Sequence, residues 1–436
     1  MALAQTPFSA VASAAPAWSG PSWLADARRA AIDRFSTAGL PTQRLEAWRT
    51  TPLPDFGTRP LVQGIASAGH GAFTVVAPFN SADAVTMVFV DGFHSAALSS
   101  PEASWPLGVR LAPISRVIAA RPEELRGWLA DGAKGAGAMH DLNAAAFRDG
   151  ASIAVEDGVR IPVELRVIVA STSTGPPVAQ HLRHRVQLGR GASLHLTLAV
   201  VGGADALGFV NNHTTISMAE GSRLDLVRVH ESPIGVPHFD ALSATLGPQS
   251  EFSDTVLQTG PSWTRSEMDI VLKGERATAD LGGVFVARGS QVSDIHTVLS
   301  HAAPRVTSRQ NYRGLAADEA RGVFHGQIKV EAGARGADAT QNNRNMLLSK
   351  RAQVHSTPAL EILTDDVKCK HGSATGQIDQ AQLFYLRSRG LGLKDATLML
   401  TRAFAGEILS RLGVPATRAL VEAQIAPSLE ALGVAA

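Results

Sequence analysis

The sequence predicts a mainly β protein in which helices flank a long central β-region. From about Gly150, for more than about 200 residues, short apolar runs are separated by Gly, Asp, Ser, Asn and Pro. Many of the runs alternate, as in Ser193-Leu-His-Leu-Thr-Leu and Arg223-Leu-Asp-Leu-Val-Arg, with no amphipathic helix between them. The fragments Gly191-Ala-Ser-Leu and Gly221-Ser-Arg-Leu lie 30 residues apart, and Gln310-Asn and Gln341-Asn 31 apart. That recurrence suits a solenoid of stacked coils. A β-sandwich fits the period-two pattern equally well, and periodicity leaves both open.

Taken in order, residues 1–21 are rich in Ala, Ser and Pro and read as a flexible tail that buries too little surface to offset its ordering entropy. A helix follows, with Ser22 as its cap, Trp23, Leu24, Ala27, Ala31 and Phe35 at helical spacing, and Gly39 as its stop. Pro41–Phe56 reads as an ordered loop, Phe73–Pro78 and Val85–Val90 as strands, and Ile114–Leu129 as a helix. Expected central strands are Ile161–Ala170, Ser193–Val201, Leu224–Val229, Leu281–Ala287, Gly322–Val330, Arg344–Leu348 and Ala359–Leu363. Asp379 and Gln382 form a capping-box pattern ahead of a helix that Gly390 ends. A second helix runs from Asp395 to the Gly413/Pro415 break, and a third from about Ala416, limited by Pro427. The expected organisation is 1–149 mainly helical, 150–377 β core and 378–436 helical.

Composition narrows the function. Forty basic against 39 acidic residues in a chain of 436 give +1 with His neutral, which argues against broad nucleic-acid binding. A basic n-region with an apolar core is missing, and no run reaches the ~20 apolar residues that span a bilayer, so the chain reads as soluble and cytoplasmic. There is no GxxxxGK[ST] loop, GxSxG elbow or HExxH, and Gly189-Arg-Gly191 lacks the third glycine of a dinucleotide fingerprint. Cys369 is the single cysteine, so one chain contains neither a disulfide nor a four-thiolate metal site.

The segment richest in chemistry is Leu360–Gly376, LEILTDDVKCKHGSATG. If Val367–His371 is a strand, Val367, Cys369 and His371 share one face, and Lys368 and Lys370 take the other. Residues i and i+2 stand ~7 Å apart, too far to clasp one small ion but suited to a bridging cluster or a shared surface. The neighbouring ammonium groups would favour the Cys369 thiolate. A small buried thiol and a hydrogen-bonded imidazole are the ordinary alternatives for the same two residues. Asp365 and Asp366 fit a turn, or an acid pair of the kind used by carbohydrate-active β-solenoids. His181 with His184, and His296 with His301, fall on opposite strand faces, so neither pair converges. His325 and His355 read as ordinary hydrogen-bonded residues.

The run Thr357–Gly390 resembles the signature region of the SufB/SufD iron–sulfur cluster assembly proteins, and is closest to the SufD branch. Ser308-Arg-Gln-Asn-Tyr-Arg-Gly314, Arg321-Gly-Val-Phe-His-Gly326, Gln341-Asn-Asn-Arg-Asn-Met-Leu-Leu348 and Arg44-Leu-Glu-Ala-Trp-Arg-Thr-Thr51 support it. The resemblance implies a central right-handed parallel β-helix between helical regions. It also implies a non-enzymatic, non-ATPase scaffold that pairs with SufB and with the ATPase SufC, or forms a homodimer when isolated. The nascent iron–sulfur cluster would be shared between subunits, with His371 and, less directly, Cys369 contributing from this chain. The C-terminal helices, entered through Tyr385-Leu-Arg-Ser-Arg389, would dock the ATPase. A reduced flavin accompanies some complexes of the family, although no flavin motif is readable here.

Overall fold

Every consecutive strand from Glu164 to Gln377 crosses to the opposite sheet, so neighbours in sequence never pair as hairpins. The computed structural model describes residues 7–9, 20–56, 60–65, 71–131 and 137–432. Its first strands are β1 (Val62–Gln63), β2 (Ala84–Val90), β3 (Phe93–His94), β4 (Val109–Pro113) and β5 (Ala151–Val155). The coils then comprise β6 (Glu164–Ser171), β7 (Val178–Leu188), β8 (Ser193–Gly202), β9 (Gly208–Met218) and β10 (Arg223–Glu231). Next come β11 (His238–Leu246), β12 (Glu251–Gln258), β13 (Trp263–Leu272), β14 (Thr278–Ala287) and β15 (Val292–His301). The last are β16 (Thr307–Ala316), β17 (Arg321–Val330), β18 (Ala337–Leu347), β19 (Gln353–Ile362) and β20 (Val367–Gln377).

Odd strands from β5 to β19 stack in one sheet and even strands from β6 to β20 in the other, all in parallel. The repeated fragments noticed in the sequence lie in register: Leu194 pairs with Leu224, and Gln310 with Gln341. One coil therefore takes about 30 residues, and the chain is a β-solenoid, since a sandwich would need antiparallel pairing. On the inner face of the even sheet, one ladder runs Leu165, Leu196, Leu226, Asp254, Leu281, Gln310, Gln341, His371. The leucines are buried, each contributing roughly 1.5–3 kcal/mol by leaving water. Asp254 interrupts the leucines, and beyond Leu281 the ladder is polar throughout.

Both outer faces are covered, as parallel sheets require. On the odd sheet lie Phe8, Phe35, Trp48 and the helix α5 (Ala138–Ala146), packed on Phe209, Phe239 and Trp263. On the even sheet lie α2 (Phe73–Val76), α7 (Leu393–Leu409) and α8 (Pro415–Leu432), packed on residues such as Val229, Leu257 and Val284. Remaining helices are α1 (Ser22–Ala38), α3 (Ile114–Ala120), α4 (Arg126–Asp131) and α6 (Gln380–Ser388).

Several local expectations change. Phe73–Val76 is helical and Ala77–Phe79 a 3₁₀ turn, because Ala72, Val76 and Phe79 are the residues buried, at helical rather than alternating spacing. Val85–Val90 is a strand as expected: it lies in β2, which is fully buried and joins the even sheet beside β6. Ser22 is the first residue of α1 and makes no cap; Pro21 precedes it in an extended conformation. Pro122 breaks the Ile114–Leu129 segment after Ala120. Pro427 lies inside α8, where Ile425, Leu429 and Leu432, buried on both sides of it, hold the helix to the sheet. Of the expected tail, residues 1–6 and 10–19 lie outside the described residues, while Phe8 is buried between Phe56 and Phe209 at ring distances of 5.2 and 5.3 Å. Asp379 caps α6 through the Ala381 and Gln382 N–H groups, and Gly390 follows that helix at φ 93°.

Candidate functional site at the open end of the solenoid

The final coil is built like its predecessors, but among the described residues no coil lies above it. Alternation in β18 buries Ala337, Ala339, Gln341, Asn343 and Asn345, and these pair in β20 with Val367, Cys369, His371, Ser373 and Thr375. Cys369 and His371 therefore do share one face, directed inward. Cys369 is partly buried against the apolar core, whereas His371 is exposed at the rim. Across the mouth, the Ser373 hydroxyl donates to Ser356 Oγ of β19 at 2.8 Å. Thus β19 and β20 together frame an opening with an imidazole and a thiol along one wall.

Below this rim the lumen is polar. Gln341, directly under His371, is buried, and neither atom of its amide has a hydrogen-bond partner. It lies against Gly326: a Cβ there would stand 1.9 Å from Gln341 Nε2 and would displace the amide. Asn345 donates to Asn343 Oδ1 at 2.6 Å and to Thr375 Oγ1 at 3.2 Å. One coil down, Thr297 donates to Gln310 Oε1 at 2.8 Å. A buried amide without partners is costly in an isolated chain, and this one sits beneath the exposed imidazole.

Electrostatics correct one expectation. Lys368 and Lys370 lie on the outer face, where with Arg309 they hold the Asp338 carboxyl below its ordinary range, Arg309 acting first through hydrogen bonds. The Cys369 thiol is pushed up by burial, only partly offset by the Ala339 backbone, and the Asp338 charge raises it further. The lysines flank the cysteine in sequence but not in space, so they do not create a reactive thiolate. Asp365 and Asp366 are exposed in the turn between β19 and β20, where the Asp366 carbonyl accepts from the Gly336 N–H at 2.7 Å.

The other histidines behave as strand alternation requires. His184 points inward and accepts from the Ala151 N–H at 3.0 Å, while His181 points outward among Phe8 and Phe209. His301 bonds Ser308 Oγ inside the lumen at 2.8 Å, whereas His296 stacks on His325 at 5.2 Å. The Arg44–Thr51 motif seals the odd sheet. Its Trp48 stacks on both Phe239 and Trp263 at 6.3 Å, with the Arg265 guanidinium 4.0 Å from its ring centre.

Fold and site together define a β-solenoid whose open end carries a thiol and an imidazole side by side on its inward face. Residues 169–404 match the family described as "SUF system FeS cluster assembly, SufBD core domain", and residues 17–167 match the "SufBD protein N-terminal region". The chain is 31% identical over 386 residues to the iron–sulfur cluster assembly protein SufD of Escherichia coli, covering 87% of each chain. It is 26% identical over 403 residues to a SufBD family protein of Synechocystis, covering 89% of this chain and 87% of that one. A Mycobacterium leprae SufBD family protein is 30% identical over 280 residues, covering 62% and 70%. The chain belongs to the SufBD family of iron–sulfur cluster assembly proteins and is SufD-like.

Sequence reasoning passed over Gln341, Ser356 and Ser373 as site residues. Their signal was the polar alternation Gln341, Asn343, Asn345 within a strand that elsewhere alternates apolar. It also missed a buried grouping of His230, His238 and Asp240, spaced across a strand–corner–strand.

Proposed function

We propose that this chain is the non-ATPase scaffold subunit of an iron–sulfur cluster assembly complex, and that it contributes half of an interfacial site. The observation that carries this reading is the inward row of the uncovered last coil, with Cys369 partly buried and His371 exposed above an unpartnered Gln341. A SufB-like subunit seated on this end would cover the row and supply the remaining donors. The nascent cluster is cargo here, with His371 Nδ1 or Nε2 as the ligand from this chain and Cys369 as the adjacent thiol. Imidazole and thiolate both accept iron, and one thiol alone is too few for a complete cluster site.

The ATPase subunit would dock on the C-terminal helices. Phe384 (74% exposed), Tyr385, Leu393 and Met399 are large apolar side chains left uncovered on α6 and the first half of α7. The second half of α7 is buried on the even sheet, so a force applied at α6 has a direct route to the solenoid.

The test is co-expression with SufB-like and SufC-like partners, followed by iron and sulfide analysis. His371→Ala is expected to leave the complex assembled and lower its cluster content. Normal cluster content in an intact complex refutes the role of His371. Phe384→Glu is expected to release the ATPase alone, and its retention refutes the docking surface.

A further inference from the structure

We propose that His230, His238 and Asp240 form a divalent transition-metal site inside the solenoid, at the corner joining β10 to β11. His230 ends β10 and His238 begins β11; the intervening corner is held by the Ser232 hydroxyl donating to the Val236 carbonyl at 3.0 Å. The two imidazoles meet edge to face with ring centres 4.4 Å apart, and His230 Nε2 lies 3.5 Å from Asp240 Oδ2. One ligand atom from each of the three residues falls within 4.8 Å of the others. A tetrahedral ion with ~2.0–2.1 Å bonds needs ligand atoms ~3.3 Å apart, so binding would draw the three side chains closer together.

Two further observations point to an occupant. All three side chains are buried, and His238 has no hydrogen-bond partner at either ring nitrogen; His230 Nδ1 has none either. Three buried imidazole nitrogens without partners are costly, and each neutral ring offers one lone pair that a bound ion would engage. The local charge is also unbalanced. Arg228 bonds Asp254 through Nε at 2.9 Å and Nη2 at 2.6 Å, and Asp240 through Nη1 at 2.5 Å. One guanidinium thus faces two buried carboxylates and leaves one negative charge in the lumen. A divalent cation on Asp240 offsets it, with Arg228 holding the same carboxylate through Oδ2. Two nitrogens and one oxygen suit zinc, ferrous or cobaltous ion rather than magnesium or calcium. The ion would join the two sheets across one coil corner, far along the ladder from the open end.

The full-length chain, refolded with zinc or cobalt and passed through a desalting column, is expected to keep one ion per chain. The cobalt form is expected to show a tetrahedral ligand-field spectrum without a thiolate charge-transfer band. Cys369→Ser/His371→Ala should keep both the ion and the spectrum, and His238→Phe, which preserves a ring against His230, should lose both. The wild-type urea midpoint should rise with zinc present during refolding, a readout independent of how His238→Phe folds. Wild-type protein that holds no ion, or an ion retained by His238→Phe, overturns the site. Loss of the ion in Cys369→Ser/His371→Ala does so too.

Discussion

Acidification is expected to unfold the metal-free protein well before its surface carboxylates titrate, because the solenoid buries several histidines in their neutral form. Burial lowers His181 to about 3 and His301 to about 4. It likewise lowers His184 and His238 to about 4, the Asp240 charge acting in the opposite sense. A histidine depressed in the folded state costs nothing above the unfolded value near 6.5. Below it, the unfolded chain takes a proton that the fold refuses, so stability falls with pH until the folded value is reached. From pH 7.5 to 5.5 each such histidine removes about 1.4 kcal/mol, so the four remove about 5–6 kcal/mol. His213 and His230, lowered first by burial, add to the same side. Glu231 opposes them: burial raises it to about 7, so the folded carboxyl keeps a proton that the unfolded chain releases, returning about 2 kcal/mol over the same range. The net loss is about 4 kcal/mol or more, a large share of the 5–15 kcal/mol typical of a fold. His181 isolates one proton of this effect, since it touches the Phe8 and Phe209 rings and neither ring nitrogen has a partner. Urea denaturation across that pH range should therefore show a steep loss for wild type, and a loss about 1.4 kcal/mol smaller for His181→Leu. A stability flat to within about 1 kcal/mol, or His181→Leu tracking wild type, refutes the reasoning.

Three other perturbations follow from the same packing. Arg228→Met leaves Asp240 and Asp254 buried without their cation and should cost about 3–5 kcal/mol in urea denaturation; a loss below about 1 kcal/mol would show that water reaches the lumen. Trp48→Ala removes a ring stacked on Phe239 and Trp263 under Arg265, and should cost about 3–5 kcal/mol, with early proteolysis in the segment before residue 56. Cys369 alkylation in the isolated chain should still be rising about tenfold per pH unit at pH 8–9, since its thiol titrates above the ordinary value of 9.0; a plateau below pH 8 would restore the lysine-activated thiolate.

Most of the architecture was legible because a solenoid writes its coil length into the chain. The 30- and 31-residue recurrences are ladder partners, and the face shared by Cys369 and His371 follows from strand alternation alone. Strands such as β11 and β13 were harder to see. Their inward residues include His238, Asp240, Thr264 and Ser266, and a polar lumen erases the apolar alternation that marks β8 and β10. Phe73–Val76 misled for a related reason: two β-branched valines beside Phe favour strand locally, while the even sheet needs Val76 and Phe79 on one side. The thiol's electrostatics were out of reach for a sharper reason. Sequence adjacency places Lys368 and Lys370 next to Cys369, and the pleat then sends them to the opposite face.

The two ends of the solenoid are finished differently. At the start of the stack the parallel order is closed off by antiparallel additions, β3 on β2 and β4 on β5, and Leu24, Ile114, Leu125, Leu129 and Phe147 pack together there. At the other end the helices that follow β20 turn away and cover the outer face of the even sheet instead. Strands of 10 and 11 residues are left as edges, which invites indiscriminate pairing unless something discourages it. Pro358 removes one donor from the β19 edge, and Lys368 and Lys370 place charge along β20. The edges are thus guarded while the inward row, Cys369 to Thr375, stays uncovered above an unpartnered glutamine. Guarded edges around an unfinished interior discourage indiscriminate strand pairing while leaving the inward row open, as the proposed interfacial site requires.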